Sequence, residues 1–247
     1  MKRISLIVPC LNEEEAIPAF KQEIDRVFKE CLEGYAPELI FVDDGSTDRS
    51  LEMIKKMAEH SPEVKFISFS RNFGKEAAIY AGLEAATGDY AAVMDVDLQD
   101  PPSLLPDMLK AIEKEGYDCA GTRRVTRQGE PLLRSFFARA FYKTIHQISD
   151  TRIVDGARDY KLMTRPVLEA LLSLKEYNRF SKGLYEWVGF RTKWFEYENV
   201  ERVAGETKWS FFKLFLYSIE GIVAFSTAPL ALASIMGVLL SFISVSY

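Results

Sequence analysis

The chain has 247 residues, a formal net charge of -5, 48% hydrophobic and 27% charged residues, which is enough apolar material for one catalytic-size globular core. The negative balance excludes a surface built to coat nucleic acid. Cys10, Cys31 and Cys119 are odd in number and lack CxxC spacing, which gives no zinc site, fits a reducing compartment and leaves all three as expected packing residues.

Met1-Lys2-Arg3 leads directly into a short apolar segment and then the polar Asn12-Glu13-Glu14-Glu15. The longer apolar core of a signal peptide is missing, so the domain is expected to stay in the cytoplasm. Ile4 to Val8 reads as a buried strand stopped by Pro9. Asn12 is the expected N-cap of a helix with Glu13 to Glu15 at its positive end, and Ile17, Phe20, Ile24, Val27, Phe28 and Cys31 form its inward face. Leu39 to Val42 is the next strand, Asp43-Asp44-Gly45-Ser46 its turn, and Asp48 to Glu59 a helix with Leu51, Ile54, Met57 and Ala58 inward. A third unit follows, with strand Lys65 to Phe69, loop Arg71-Asn72-Phe73-Gly74 and helix Lys75 to Ala86. In the fourth, strand Tyr90 to Met94 precedes a helix from Ser103 to about Glu115.

Strands alternating with helices predict an α/β fold with a mostly parallel sheet flanked by helices and right-handed crossovers. Ligands of such sheets bind outside the carboxyl ends of the strands, where residues 9–13, 43–46, 71–75 and 95–99 all fall. No GxGxxG follows the first strand and no GxxxxGK[ST] occurs, so neither a dinucleotide fingerprint nor a P-loop is present.

Asp95-Val96-Asp97-Leu98-Gln99-Asp100-Pro101-Pro102 sets three carboxylates and an amide where the fourth strand leaves the core. If the strand continued regularly, Asp95 and Asp97 would share one face, and such hard oxygen donors suit Mg²⁺ or Mn²⁺. These ions usually complete their shell with water and substrate phosphate, which implies a phosphate-ester substrate. A merely solvated acidic turn is the alternative reading of the same residues.

After Gly121 the chain becomes arginine-rich, with Arg123, Arg124, Arg127, Arg134 and Arg139. A helix is expected from Leu132 to Ile148, and its Leu/Phe-rich face beside positive charge suits a lipid phosphate at a membrane surface, against the alternative of a solvated basic patch. Trp209, Phe211, Phe212, Leu214, Phe215, Leu216 and Tyr217, with Lys208 and Lys213, read as an interfacial amphipathic helix. Gly221 to Tyr247 has no charged residue and exceeds the roughly 20 residues that a membrane-spanning helix needs, with a break expected at Pro229. Lys208 and Lys213 lie before that span, which keeps the preceding domain cytoplasmic. His60 and His146 fall on expected helices away from the polar loops and are given no catalytic role.

The ordered segments Pro9-Cys10-Leu11-Asn12-Glu13, Val42-Asp43-Asp44-Gly45-Ser46-Thr47-Asp48, Gly88-Asp89 and Asp95 to Pro102 resemble the motifs of family-two glycosyltransferases with the nucleotide-sugar-binding A-type fold. The nearest branch by these motifs is the polyprenyl-phosphate glycosyltransferases, which include bactoprenol glucosyltransferases and dolichyl-phosphate mannose synthases. The resemblance implies that Pro9, Glu13 and Asp43 or Asp44 contact base and ribose, with Leu11, Val96 and Arg123 in the same nucleotide-sugar-binding set. Leu11 departs from the Tyr that many members carry, which removes an aromatic stacking partner. Asp95, Asp97 and Gln99 would hold Mg²⁺ or Mn²⁺ on the diphosphate. The acceptor phosphate is placed near Arg123, Arg127, Arg134 and Ser135, with the segment Asp155 to Met163 closing that side. Arg202-Val203-Ala204-Gly205-Glu206-Thr207-Lys208 resembles a mobile lid whose Arg202 and Lys208 reach the donor diphosphate, joining Asp97 as the catalytic set.

The implied reaction is inverting transfer of a sugar from a nucleotide diphosphate sugar to a polyprenyl phosphate. Ser68 to Lys75 resembles the bactoprenol glucosyltransferases more than the mannose synthases, which favours UDP-glucose as donor, with GDP-mannose transfer as the alternative; undecaprenyl phosphate is the favoured acceptor. A processive polysaccharide synthase would need a Gln-x-x-Arg-Trp motif, which is absent. An inactive membrane-anchored nucleotide-sugar-binding protein would not need the full metal and diphosphate set. The expected organisation is a cytoplasmic glycosyltransferase domain over 1–206, an interfacial helix over 207–228 and a transmembrane helix over 229–247, at the inner (plasma) membrane and against a lipid bilayer. The resemblance implies a second span beyond the point where this chain stops, and homo-oligomer formation is left open.

Overall fold

The computed structural model describes residues 1–124, 154, 156–197, 219 and 221–246. Strands and helices alternate through β1 (Lys2–Cys10), α1 (Ala16–Cys31), β2 (Tyr35–Asp43), α2 (Ser50–His60), β3 (Val64–Ser68), α3 (Lys75–Ala85) and β4 (Tyr90–Val93). A 3-10 turn at Pro102–Leu104 leads into α4 (Leu105–Glu115). Then come β5 (Cys119–Arg124), β6 (Ala157–Thr164), α5 (Arg165–Ser173), α6 (Ser181–Trp187), β7 (Thr192–Tyr197) and α7 (Ala228–Ser246). The strands form one seven-stranded sheet in the order β3-β2-β1-β4-β6-β5-β7. β6 runs antiparallel to both its neighbours, β4 and β5, and the other pairs are parallel.

The strands are apolar on both faces because helices cover both. Ile4, Leu6, Val8, Leu39, Phe41 and Ala92 point to the layer containing α1, α2 and α4. Their sequence neighbours Ile7, Ile40, Val42, Ala91 and Val93 point to the layer containing α3, α5 and α6. This is the period-two alternation of a strand read across the whole sheet. Helix α3 lies close on β1: a Cβ at Gly82 would sit 2.3 Å from Ile7 Cγ2, so this position requires glycine to keep the first residues of α3 at the strand ends.

Several expected boundaries shift for physical reasons. β1 is not stopped by Pro9, which pairs with Val42, and the strand continues to Cys10. Pro9 has the same parity as Ile7, whose carbonyl faces Met94, so its missing N–H points to the side where pairing with β4 has already ended at Ile7. α1 begins at Ala16 rather than after Asn12, and no acidic residue lies in its first turn. Asn12 has φ 51° and its side-chain carbonyl accepts the Thr47 N–H at 2.7 Å, so it bridges two loops instead of capping a helix. α2 begins at Ser50, with Asp48 Oδ1 accepting the Ser50 N–H at 2.9 Å. Cys10 and Cys119 are buried as expected, but Cys31 is exposed at the last residue of α1. The inward face of the helix passes instead from Phe28 to Leu32, four residues on, and Leu32 takes the buried place. β5, β6 and β7 add the half-sheet that the local pattern did not resolve.

Glu38 of β2 is buried at the register position of Ser5. Its carboxylate accepts the Ser5 hydroxyl, the Thr87 N–H at 2.9 Å and hydroxyl at 2.6 Å, and the Lys65 ammonium at 2.6 Å. On the opposite flank, residues 221–225 are helical. Phe225 lies so close to α6 that a Cβ at Gly183 would be 2.3 Å from its ring, and it meets Phe180 edge-on at 6.2 Å. The helix breaks at 226–227, where Ser226 Oγ accepts the Ala228 N–H at 3.1 Å, and Pro229 falls in the first turn of α7, where its missing N–H costs nothing. α7 has 19 residues, mean hydropathy 2.1 and no burial within the molecule, which makes it long and apolar enough to cross a membrane.

Candidate functional site

The loops after the first three strands are tied to one another before any ligand is considered. The Asn12 N–H donates to Ser46 Oγ at 2.9 Å, the Glu13 N–H to Ser50 Oγ at 2.7 Å and the Glu14 N–H to Asp48 at 3.2 Å. In return, Glu14 accepts the Arg49 N–H at 2.9 Å. Gly45, at φ 73°, lies against the third loop so closely that a Cβ would be 2.5 Å from the Arg71 carbonyl carbon, a site where only glycine fits. Pro9, Leu11 and Glu13 thus stand on one rim with the turn that holds Asp43 and Asp44.

The two carboxylates of that turn have different tasks. Asp44, 4% exposed, accepts the Phe73 N–H at 2.7 Å and the Gly74 N–H at 3.0 Å and 3.2 Å. It therefore holds the backbone that enters α3, where Gly74 has φ 98°. Burial raises the Asp44 pKa above its ordinary value, opposed by these backbone hydrogen bonds and reinforced by Asp43. The carboxylate of Asp43, a residue 1% exposed, makes long contacts among the described residues, from the Ser46 N–H at 3.3 Å and the Ser68 hydroxyl at 3.4 Å.

The fourth loop does not continue the strand. β4 ends at Val93, Val96 and Asp97 lie in a turn, and Leu98 has φ 56°, so Asp95 and Asp97 do not share a strand face. Asp95 Oδ1 is 2.6 Å from Lys75 Nζ, and its Oδ2 is 3.9 Å from Arg158. Lys75 also meets Asp159 Oδ2 at 2.5 Å, and Arg158 meets Asp100 at 2.9 Å, with the Tyr197 hydroxyl bonded to the same Asp100 oxygen. Lys182 lies 4.0 Å from Asp159. Burial works to raise the Asp159 pKa, but the charges of Lys75 and Lys182 and the Lys75 hydrogen bond hold it well below the usual carboxylate range. Burial likewise works against the Lys75 charge, and Asp159 and Asp95 more than reverse it. Asp97 is 5% exposed, and its Oδ1 accepts the Gln99 N–H at 3.1 Å.

Among the described residues no group of three or more His, Cys, Asp or Glu is placed to hold a metal ion. Asp95, Asp97 and Gln99 instead offer two carboxylates and an amide, the sparse oxygen set that a divalent ion accepts when water and diphosphate complete its shell. Arg123 stands apart from this cluster. Its Nε donates to Glu196 across the β5–β7 pair at 3.0 Å, at the sheet edge. Arg127, Arg134, Ser135, Arg139, His146, Asp155, Arg202, Lys208, the expected helix over 132–148 and most of the expected interfacial helix lie outside the described residues. His60 is exposed at the end of α2.

Local pattern did not reveal the network joining Lys75, Arg158, Asp159, Lys182 and Tyr197, whose partners are brought together by β6, α6 and β7. The same holds for Glu76, which accepts the Ser181 N–H at 3.1 Å and the Ser181 hydroxyl, so that an α3 carboxylate sits at the N-terminus of α6. The clue in the sequence was the concentration of charge at Arg158, Asp159 and Lys161 within a strand that also carries Tyr160, Leu162 and Met163.

Comparison with known proteins agrees with this geometry. The family described as Glycosyl transferase family 2 matches residues 5–172. CsbB of Bacillus subtilis, named only at the level of a glycosyltransferase, is 43% identical over 244 residues, covering 99% of this chain and 73% of that protein. The bactoprenol glucosyl transferase of Shigella phage SfV is 41% identical over 245 residues, 99% of this chain and 79% of its own length. The Escherichia coli prophage bactoprenol glucosyl transferase homolog is 40% identical, with the same 99% and 79%. Among solved structures, glucosyl-3-phosphoglycerate synthase from Mycobacterium tuberculosis, in complex with Mn²⁺, UDP-glucose and phosphoglyceric acid, has a TM-score of 0.54 at 21% identity, over 88% of this chain and 76% of that one. A Pyrobaculum calidifontis mannosyltransferase in complex with GDP-Man and Mn²⁺ also gives 0.54 at 21% identity, over 83% of this chain and 58% of its own. These two likenesses establish the fold.

Proposed function

We propose, from the premise that the chain belongs to glycosyl transferase family 2, that it transfers glucose from UDP-glucose, with inversion, to the phosphate of a polyprenyl lipid. Undecaprenyl phosphate is the favoured acceptor, and the reaction is placed at the cytoplasmic face of the plasma membrane. The observation that carries this reading is the union, in one chain, of an acidic site at the strand ends with an exposed apolar helix. A sugar transferase with that anchor is suited to an acceptor that is itself a membrane lipid. The names of relatives at 40% identity and above support the same acceptor class.

In this reading residues 1–206 form the catalytic domain, 207–228 an interfacial helix and 229–247 the anchor. Pro9, Leu11, Glu13 and Val96 line the nucleoside, and Asp43 takes the ribose hydroxyls, because Asp44 is already committed to the backbone of Phe73 and Gly74. Asp97, Gln99 and Asp95 would hold Mg²⁺ or Mn²⁺. When bound, that ion supplies positive charge to the leaving diphosphate. Arg202 and Lys208 add charge-assisted contacts to the same group, and Arg123, Arg127, Arg134 and Ser135 receive the acceptor phosphate. A phosphate monoester has a second pKa of about 6 and is largely ionised at neutral pH, so its oxygen needs no strong general base to attack the anomeric carbon. The protein's task is to position the two substrates and exclude water.

Purified full-length protein in detergent, given undecaprenyl phosphate with UDP-glucose or GDP-mannose, tests the proposal. Glucosyl-lipid formed from UDP-glucose is expected. Mannosyl-lipid alone would correct the donor, and nucleotide-sugar binding without any lipid product would support an inactive binding protein.

A further inference from the structure

The helical residues just before α7 are apolar on two opposite sides. Gly221 and Phe225, one turn apart, face the α/β domain: a Cβ at Gly221 would lie 3.2 Å from the Phe180 ring, and the Phe225 ring closes on Gly183 of α6. Ile219 and Val223, two residues round the helix and so on its other side, are 41% and 59% exposed. A helix with one apolar side against the protein and the other uncovered is suited to lie between that protein and a second apolar phase. Trp187, the last residue of α6, extends the uncovered surface. It is 60% exposed, and its ring stands 6.3 Å from that of Phe225.

The position of this surface in the chain says what covers it. α7 starts at Ala228, and its 19 residues rise about 28 Å, close to the roughly 30 Å depth of a bilayer's hydrocarbon core. Phe225 precedes Ala228 by at most about 11 Å of chain, and the headgroup layer on each side is about 5–7 Å deep. Phe225 and the Trp187 ring beside it are thereby held next to the headgroups, the level that an amphipathic indole favours. α6 is in turn fixed to the site. Glu76 accepts the Ser181 N–H at its start, Glu186 accepts a hydrogen bond from the buried Lys161 ammonium at 3.2 Å near its end, and Lys182 lies 4.0 Å from Asp159.

We propose that Trp187 is a membrane contact of the α/β domain, seated with Ile219 and Val223 in the headgroup–acyl boundary of the bilayer that α7 crosses. The inference rests on the reading of α7 as a membrane span. One helix of about 10 Å separates Trp187 from the Lys182–Asp159 contact, so docking sets the height of the acidic cluster over the lipid surface.

The test uses the full chain in vesicles of phosphatidylcholine and phosphatidylglycerol, with and without brominated acyl chains, in a Trp194→Phe, Trp209→Phe variant that keeps Trp187 alone. Trp187 emission should fall to about half or less in brominated vesicles, and aqueous iodide should quench it about threefold less than free tryptophan. Strong iodide quenching with no effect of brominated lipid overturns the proposal. Protection from both quenchers means that a second copy of the chain covers Trp187, and overturns it too. If the double variant does not fold by circular dichroism, native protein and Trp187→Phe are compared: the emission lost on bromination should be smaller in Trp187→Phe, and an equal loss overturns the contact. Phe242→Trp, in a chain whose native tryptophans are all replaced by Phe, probes α7 separately. Quenching by brominated lipid there with none at Trp187 removes the contact and leaves the anchor, whereas no quenching there removes the anchor and the contact with it.

Discussion

Replacing Asp44 and Asp43 one at a time separates a structural carboxylate from a binding one. In Asp44→Ala, the N–H groups of Phe73 and Gly74 lose a charged acceptor at 2.7 Å and 3.0 Å. Two charge-assisted bonds are worth about 3–6 kcal/mol gross, and relief of the buried carboxylate returns part of that, leaving a net loss of about 2–3 kcal/mol. For a chain of this size that is a fall in Tm of roughly 5 to 10 °C. Asp43→Asn keeps the shape and disturbs only contacts at 3.3 Å and 3.4 Å, near the limit of a hydrogen bond, so stability should change by less than about 1 kcal/mol. If Asp43 takes the ribose, its variant should weaken UDP binding about tenfold or more, because a charged acceptor for sugar hydroxyls is lost. Thermal melting gives the first comparison and calorimetric titration with UDP, well below both melting temperatures, the second. An Asp44→Ala protein as stable as the native one, or an Asp43→Asn protein with native UDP affinity, would refute the assignment of roles.

Glu38 should contribute to acid sensitivity: burial opposes its charge, but hydrogen bonds from Lys65, Ser5 and Thr87 bring its pKa down from 4.5 to about 2. Because the folded pKa is the lower one, the stabilisation is fully present above the unfolded value, is lost as pH falls from about 4.5 toward 2, and has an upper limit of about 3 kcal/mol. Denaturation curves of Glu38→Gln should therefore show a shallower loss over that window than the native protein, and parallel curves would remove Glu38 from the effect. Asp97→Asn should nearly abolish glucosyl transfer while leaving the melting temperature close to native, and equal native activity with and without chelator would dismiss the divalent ion. Arg123→Ala should cost less than about 1 kcal/mol of stability, since its partner Glu196 is half exposed, but should weaken use of the lipid acceptor far more than donor binding. Glu196→Gln serves as the control: an equal acceptor defect there would make Arg123 a strut of the β5–β7 edge and not a phosphate ligand.

The order of strands and helices through α4, the presence of a charged edge at the carboxyl ends of the strands and the apolar character of the C-terminal helix were legible in the sequence. Each depends on near neighbours: period-two and helical spacing, Gly and Pro at turns, and an uncharged run ending the chain. Tertiary contacts decided which of two adjacent aspartates is taken up by backbone donors. The loop before α3 reaches Asp44 with the N–H groups of Phe73 and Gly74, whereas Asp43 meets the Ser46 N–H and the Ser68 hydroxyl at longer range. They also decided that Asn12 ties loops together, because a backbone at φ 51° carries its amide toward Thr47. The pairing of Lys75 with Asp95 and Asp159 depends on β6 running antiparallel beside β4. Coulomb energy depends on distance in space, and no local pattern encodes that two charges 84 residues apart will lie 2.5 Å from each other.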